Sequence, residues 1–127
     1  MIYDPLKVAI ELLKARVPDV PVSGDLVGHQ TGSPRVAVSL LNISAVIRNR
    51  LDRIRLDVHA YGPAKNAALA LAMRTRHALL NQSINWSYAG VAIADASNDF
   101  GPQDISDRTS REHRFVVSLD LYMYLRS

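Results

Sequence analysis

The sequence predicts an α+β domain: a two-layer sandwich whose mainly antiparallel four-stranded sheet carries two helices on one face, in the order α-β-β-α-β-β. Three observations predict it. Apolar residues recur at helical spacing in two segments, they alternate at strand spacing in others, and no repeat, linker or composition break divides the chain. With 127 residues there is room for one domain, residues 1–127, and folding at that size buries roughly two-thirds of the unfolded surface.

The elements follow in order. Asp4-Pro5 reads as an N-cap followed by proline at the first helical position. Leu6, Ala9, Ile10, Leu13 and Val17 continue at helical spacing until Pro18 and Pro21 close the segment. Gly24, Gly28, Gly32 and Pro34 mark a loop. Val36, Val38 and Leu40 alternate with Arg35, Ala37 and Ser39, the period of a half-buried strand that runs less cleanly on to Ile47. The clearest strand is Asp52 to Tyr61: Ile54, Leu56, Val58 and Ala60 point one way, and Arg53, Arg55, Asp57, His59 and Tyr61 the other. Gly62-Pro63 ends it and opens an Ala-rich helix from Ala64 to Ala78, with Arg74, Arg76 and His77 near its C-terminus. Asn81 to Asn85 is a turn and Trp86 to Ala94 an apolar strand. Asp95 to Ser110 reads as a long polar loop. The last strand alternates Phe115, Val117, Leu119, Leu121, Met123 and Leu125 with Arg114, Val116, Ser118, Asp120, Tyr122 and Tyr124, apolar or aromatic on both faces.

Composition removes whole classes of function. There is no Cys, which excludes disulfide frameworks, Cys-ligated zinc, iron–sulfur clusters and thiol catalysis. The N-terminus lacks a positively charged region before an apolar run, and the longest uncharged stretch, His77 to Ala94, is broken by polar residues; the expectation is a soluble chain without membrane contact. The net charge is +3, and Arg supplies most of the cations and Asp most of the anions. Arg holds carboxylates through a planar fork, so this bias favours specific ion pairs.

No template for chemistry is met. His29, His59, His77 and His113 are widely separated, and none pairs with another ligand at metal-binding spacing. Asp57 and His59 share a strand face, where a structural pair is the simpler reading. The Asp95–Gly101 segment fails as a calcium loop, since Phe100 stands at the glycine position and Ser106 at the bidentate glutamate position. There is no G-x-S-x-G elbow, and Gly24, Gly28 and Gly32 lead to no phosphate loop. No enzyme activity and no cofactor are expected.

Charge segregation is more informative. Arg48, Arg50, Arg53 and Arg55 cluster within eight residues, offset only by Asp52, and Tyr61 shares the Arg53/Arg55 face. Such a cluster can hold phosphates, so a small nucleic-acid-binding module is one reading. Asp95, Asp99, Asp104 and Asp107 form an uninterrupted acidic stretch, followed by Arg108, Arg111 and Arg114. Opposite patches on one small domain either neutralise each other within the monomer or drive head-to-tail self-association, which closes into a ring where the rotation permits.

The order of motifs resembles a known family. Asp4-Pro5-Leu6 opens the first helix, Val17-Pro18-Asp19-Val20 follows, and Arg35-Val36-Ala37-Val38 begins a strand. Asp52-Arg53 leads to Leu56-Asp57-Val58-His59-Ala60-Tyr61-Gly62 and then to Arg74-Thr75-Arg76-His77-Ala78-Leu79-Leu80. Gly90-Val91 and the closing Arg114-Phe115-Val116-Val117-Ser118-Leu119 complete the pattern. Over nearly its whole length the chain resembles the tail terminator (tail-completion) proteins of long-tailed, non-contractile bacteriophages, particularly those of actinobacterial hosts. The resemblance implies a structural virion protein, assembled in the host cytoplasm, that forms a typically hexameric ring at the head-proximal end of the tail. Its implied partners are further copies of itself, the major tail tube protein and the head–tail connector or stopper protein. Double-stranded DNA would pass through the channel without specific binding. Another head–tail joining or minor tail protein is the neighbouring possibility. The expected interface residues are Arg48, Arg50, Arg53, Arg55, His59 and Tyr61 on the strand side, and Asp95, Asp99, Phe100, Asp104 and Asp107 on the loop side.

Overall fold

The computed structural model describes residues 3–106 and 112–126. Helix α1 (Pro5–Arg16) begins as expected: Asp4 caps it, its carboxylate accepting a hydrogen bond from the Lys7 amide at 3.2 Å. The strands are β1 (Val22–Ser23), β2 (Arg35–Ile47), β3 (Leu51–Gly62), β4 (Ser87–Tyr88), β5 (Val91–Asp104) and β6 (His113–Leu125), with helix α2 (Lys65–Asn81) between β3 and β4. They form a single curved sheet in the order β1-β2-β3-β6-β5-β4.

This corrects the four-stranded antiparallel sheet and its α-β-β-α-β-β order. The sheet has six strands and is mixed, because β1 pairs with β2 in parallel, through Val22–Val36 and Ser23–Ala37. Both additional strands, β1 and β4, span two residues, too short to show any periodicity. The expected Trp86–Ala94 strand is instead a hairpin. Asn85, Ala89 and Gly90 adopt positive φ, and the chain reverses between Tyr88 and Val91. The Asp95–Ser110 loop is also overturned: as far as Asp104 it is β5, paired with β6. Its register slips between Ile93 and Asp95, Asn98 and Phe100, and Phe100 and Gln103, which scrambles the two-residue period and hides the strand.

One face of the sheet makes the core. Ile54, Leu56, Val58 and Ala60 of β3 stand opposite Leu121, Leu119, Val117 and Phe115 of β6. Val8, Leu12 and Leu13 of α1 and Ala68, Leu71, Ala72 and Leu79 of α2 close over them in one apolar cluster. Fully burying each Val, Leu, Ile or Phe side chain of this cluster contributes about 1.5–3 kcal/mol. Arg74 does not serve the end of α2; its guanidinium donates to both carboxylate oxygens of Asp19 at 3.0 and 2.6 Å and ties the helix to the segment after α1. The strand alternation turns the second set of side chains onto the opposite, open face.

Candidate functional site

The open face is a ladder of side chains set by register. From one end to the other its rows run Arg35–Tyr61–Arg114, Ala37–His59–Val116, Ser39–Asp57–Ser118, Asn42–Arg55–Asp120 and Ser44–Arg53–Tyr122 across β2, β3 and β6. Residues of β5 extend the last four, with Gln103 opposite Val116, Phe100 opposite Ser118, Ser97 opposite Asp120 and Asp95 opposite Tyr122.

The Tyr61 end is covered. The loop after β1 lays His29 over it, with the His29 ring 4.8 Å from the Tyr61 ring and its Nε2 hydrogen-bonded to Glu112. Arg114 completes the cluster, its guanidinium 5.7 Å from the centre of the Tyr61 ring and an N–H donated to Tyr61 Oη at 3.2 Å. In the next row His59 is half-buried, and its Nδ1 is enclosed without a hydrogen-bond partner among the described residues. Burial, then the nearby Arg114 cation, hold its pKa below the usual 6.5, with Asp57 opposing in part. Ser118 donates its hydroxyl proton to Asp57, and Arg55 donates to both oxygens of the buried Asp120 at 3.0 and 3.2 Å. Asp99 approaches the same guanidinium at 3.7 Å.

The expected interface residues therefore divide. Arg53, Arg55, His59 and Tyr61 do share the open face, but Tyr61 is buried and Arg55 is held by carboxylates of its own chain. Arg48 and Arg50 lie at the turn of the β2–β3 hairpin, where Asn49 takes φ 61° and Arg50 N–H bonds Ile47 C=O at 2.9 Å. Asp52, beside them, accepts the Tyr3 hydroxyl proton at 2.6 Å, and burial together with that carboxylate raises the Tyr3 pKa. Asp95, Asp99, Phe100 and Asp104 lie on a strand, not on a loop. Asp104 is paired with Lys65 at 3.3 Å. Asp107 falls outside the described residues. Among the described residues Arg48, Arg50, Arg53 and Asp95 enter no ion pair.

Both sheet edges are largely open. β1 covers only Val36 and Ala37 of β2, and among the described residues no strand lies beyond residues 38–47. Past the fully buried Val38 the helical layer no longer covers this edge, leaving Leu40, Leu41, Ile43, Val46 and Ile47 between 37 and 53% exposed. On the far side, β4 pairs with Ala92 and Val91 only, so among the described residues no strand pairs with β5 outward of residues 94–104. That edge is acidic. Open edges of this length are a hazard in a protein that stays monomeric.

No protein-family model and no curated protein matches this chain. Nine solved chains do. One of them, known only by a sequence identifier, is 18% identical over 95% of this chain and 89% of its own length, with a TM-score of 0.51. That likeness shows the fold alone.

Sequence reasoning missed Asp120, His29 and the apolar β2 edge. Asp120 carried a signal, as the one charge inside the run from Phe115 to Leu125. The edge carried none, because its apolar residues read as the less regular continuation of a half-buried strand.

Proposed function

We propose that the chain is a structural virion protein that assembles head to tail into a ring, capping the finished tail tube of a long-tailed, non-contractile phage and joining it to the head connector. The observation that carries this reading is the pair of open sheet edges, one apolar beside Arg48, Arg50 and Arg53, which enter no ion pair among the described residues, the other acidic. Two unlike surfaces at opposite ends of one domain suit a heterologous contact, and such contacts close into rings where the rotation permits. The motif order of the sequence supplies the location in the virion, and the hexameric stoichiometry typical of the resembled family is adopted with it. Light scattering after size exclusion, on the purified protein alone and with tail tubes added, tests the reading. A ring, free or on the tube, is expected; a monomer that neither assembles nor binds tubes overturns it.

One observation favours a second reading. Three arginines of the 48–55 cluster have no carboxylate partner among the described residues, and DNA phosphates would suit them. Filter binding at two salt concentrations separates the readings: tight, salt-sensitive DNA binding lost on replacing Arg48 and Arg50 would favour the module over the ring.

A further inference from the structure

We infer that copies of this chain join edge to edge, with residues 94–102 of β5 in one copy pairing antiparallel with the open part of β2, from residue 38 onward, in the next, so that one sheet runs on through the assembly. The inference rests on the ring reading above and names its interface.

Strand direction permits it. β2, β3, β6 and β5 alternate in direction, so β5 runs opposite to β2. A copy related by rotation about an axis along the strands places its β2 beside β5 with that alternation unbroken. The levels agree as well. Leu40, Leu56, Leu119 and Asn98 form one row across the sheet, and Ser44, Arg53, Tyr122 and Asp95 another, so the two open edges overlap in height, with only Gln103 and Asp104 level with the Ala37 and Val36 that β1 covers.

Each side of the junction then finds a partner. On the helix side, α2 runs along β5, fixed by Lys65 to Asp104 at 3.3 Å and by Arg76 Nε to Asn98 at 2.8 Å. Between those anchors, on the same helical stripe, Leu69 and Met73 are 41 and 46% exposed. The next copy's Leu40 and Ile43 lie on the helix side of its sheet, level with Asn98 and Ala96; Leu40 meets the end of that stripe and Ile43 extends the helix-on-sheet packing toward the end of α2. On the open face, Asp95 stands one strand spacing from Ser44 of the next copy and two, roughly 10 Å, from its Arg53. An extended guanidinium spans that gap across the small serine. Within one copy, Tyr122 separates Arg53 from Asp95.

A charge exchange between two chains tests the contact. Asp95→Lys alone sets a second cation against Arg53, and Arg53→Asp alone sets a second carboxylate against Asp95, so each variant alone loses assembly at low salt. Mixed in equal amounts they restore it, because every junction of an alternating, even-numbered ring then pairs either the two native charges or the two exchanged ones, opposite in sign overall. Circular dichroism on each variant establishes that both are folded. Light scattering on the mixture is expected to recover the wild-type mass. As a second measurement, Asn42→Cys/Ser97→Cys, at two positions that share a row of the sheet, is expected in this Cys-free chain to give an oxidised ladder of oligomers on a denaturing gel. Wild-type rings with neither rescue nor ladder overturn the edge pairing while leaving the ring reading standing. A wild-type chain that forms no ring, with or without tubes, overturns both, and an edge occupied by the tube protein in place of a second copy overturns the edge pairing alone.

Discussion

Arg55 holds the buried carboxylate of Asp120 through two hydrogen bonds, 3.0 and 3.2 Å long, at facing positions of β3 and β6. Asp120 is 6% exposed, so its charge depends on this partner more than on water. Arg55→Ala is expected to lower the melting temperature by several degrees, because it strands the carboxylate. Adding Asp120→Asn to that variant removes the stranded charge and recovers part of the loss. Thermal unfolding of the single and double variants checks this. A double variant less stable than Arg55→Ala alone would mean that the carboxylate is satisfied by other groups.

His59 makes stability pH-dependent in the less usual direction. Burial and Arg114 hold its pKa below 6.5 in the folded chain, with only partial compensation from Asp57, so the unfolded chain binds the proton more tightly. Stability therefore rises with pH between the folded value and 6.5, and is lost as pH falls through that window. His59→Asn removes the titrating group. The urea midpoint at pH about 7.5 minus that at pH about 5.5 is expected to be smaller in the variant than in the wild type. An unchanged difference would assign the dependence to other groups.

What was legible in the sequence follows from how local each determinant is. The N-cap at Asp4 and the alternation of β3 are written in neighbouring residues, and both are where the sequence places them. The β1–β2 pairing is written nowhere locally, since it joins Val22 to Val36 across a glycine-rich loop. β5 was hidden by its polar side chains, which an outward-facing edge tolerates, and by its slips in register. The candidate interface was half legible for the same reason. Charges can be counted along a chain, but whether Arg55 meets Asp99 or a second molecule depends on the register of three strands.

Gly101 is required by its backbone. It sits at φ 94°, and a Cβ built there would lie 2.4 Å from the carbonyl oxygen of Val116. No side-chain rotation relieves a clash with backbone. Gly101→Ala is expected to cost about 1–3 kcal/mol from the disfavoured conformation alone, with the close approach adding to it. Chemical denaturation measures the loss. A variant within experimental error of wild type would show that β5 shifts away from β6 at low cost.

Asp104 offers a direct measurement of which contacts organise the end of β5. Its pKa is lowered from 3.8 to about 2, first by the Ser106 hydroxyl, donated at 2.5 Å, then by the Ser106 amide at 2.9 Å, with Lys65 contributing less. The lowered value means that these contacts favour the folded state above pH 3.8 and that their contribution disappears as pH falls through about 2. Ser106→Ala keeps the amide and removes the hydroxyl, so the Asp104 pKa should move back toward 3.8. Lys65→Ala should move it less, and raising the salt concentration should reproduce the lysine effect without the serine effect, because ions screen a charge but do not replace a short hydrogen bond. Carboxyl-carbon NMR titration of the two variants resolves the order. A larger rise in Lys65→Ala than in Ser106→Ala would make the anchor between α2 and β5 the dominant contact, and the turn at Ser106 secondary to it.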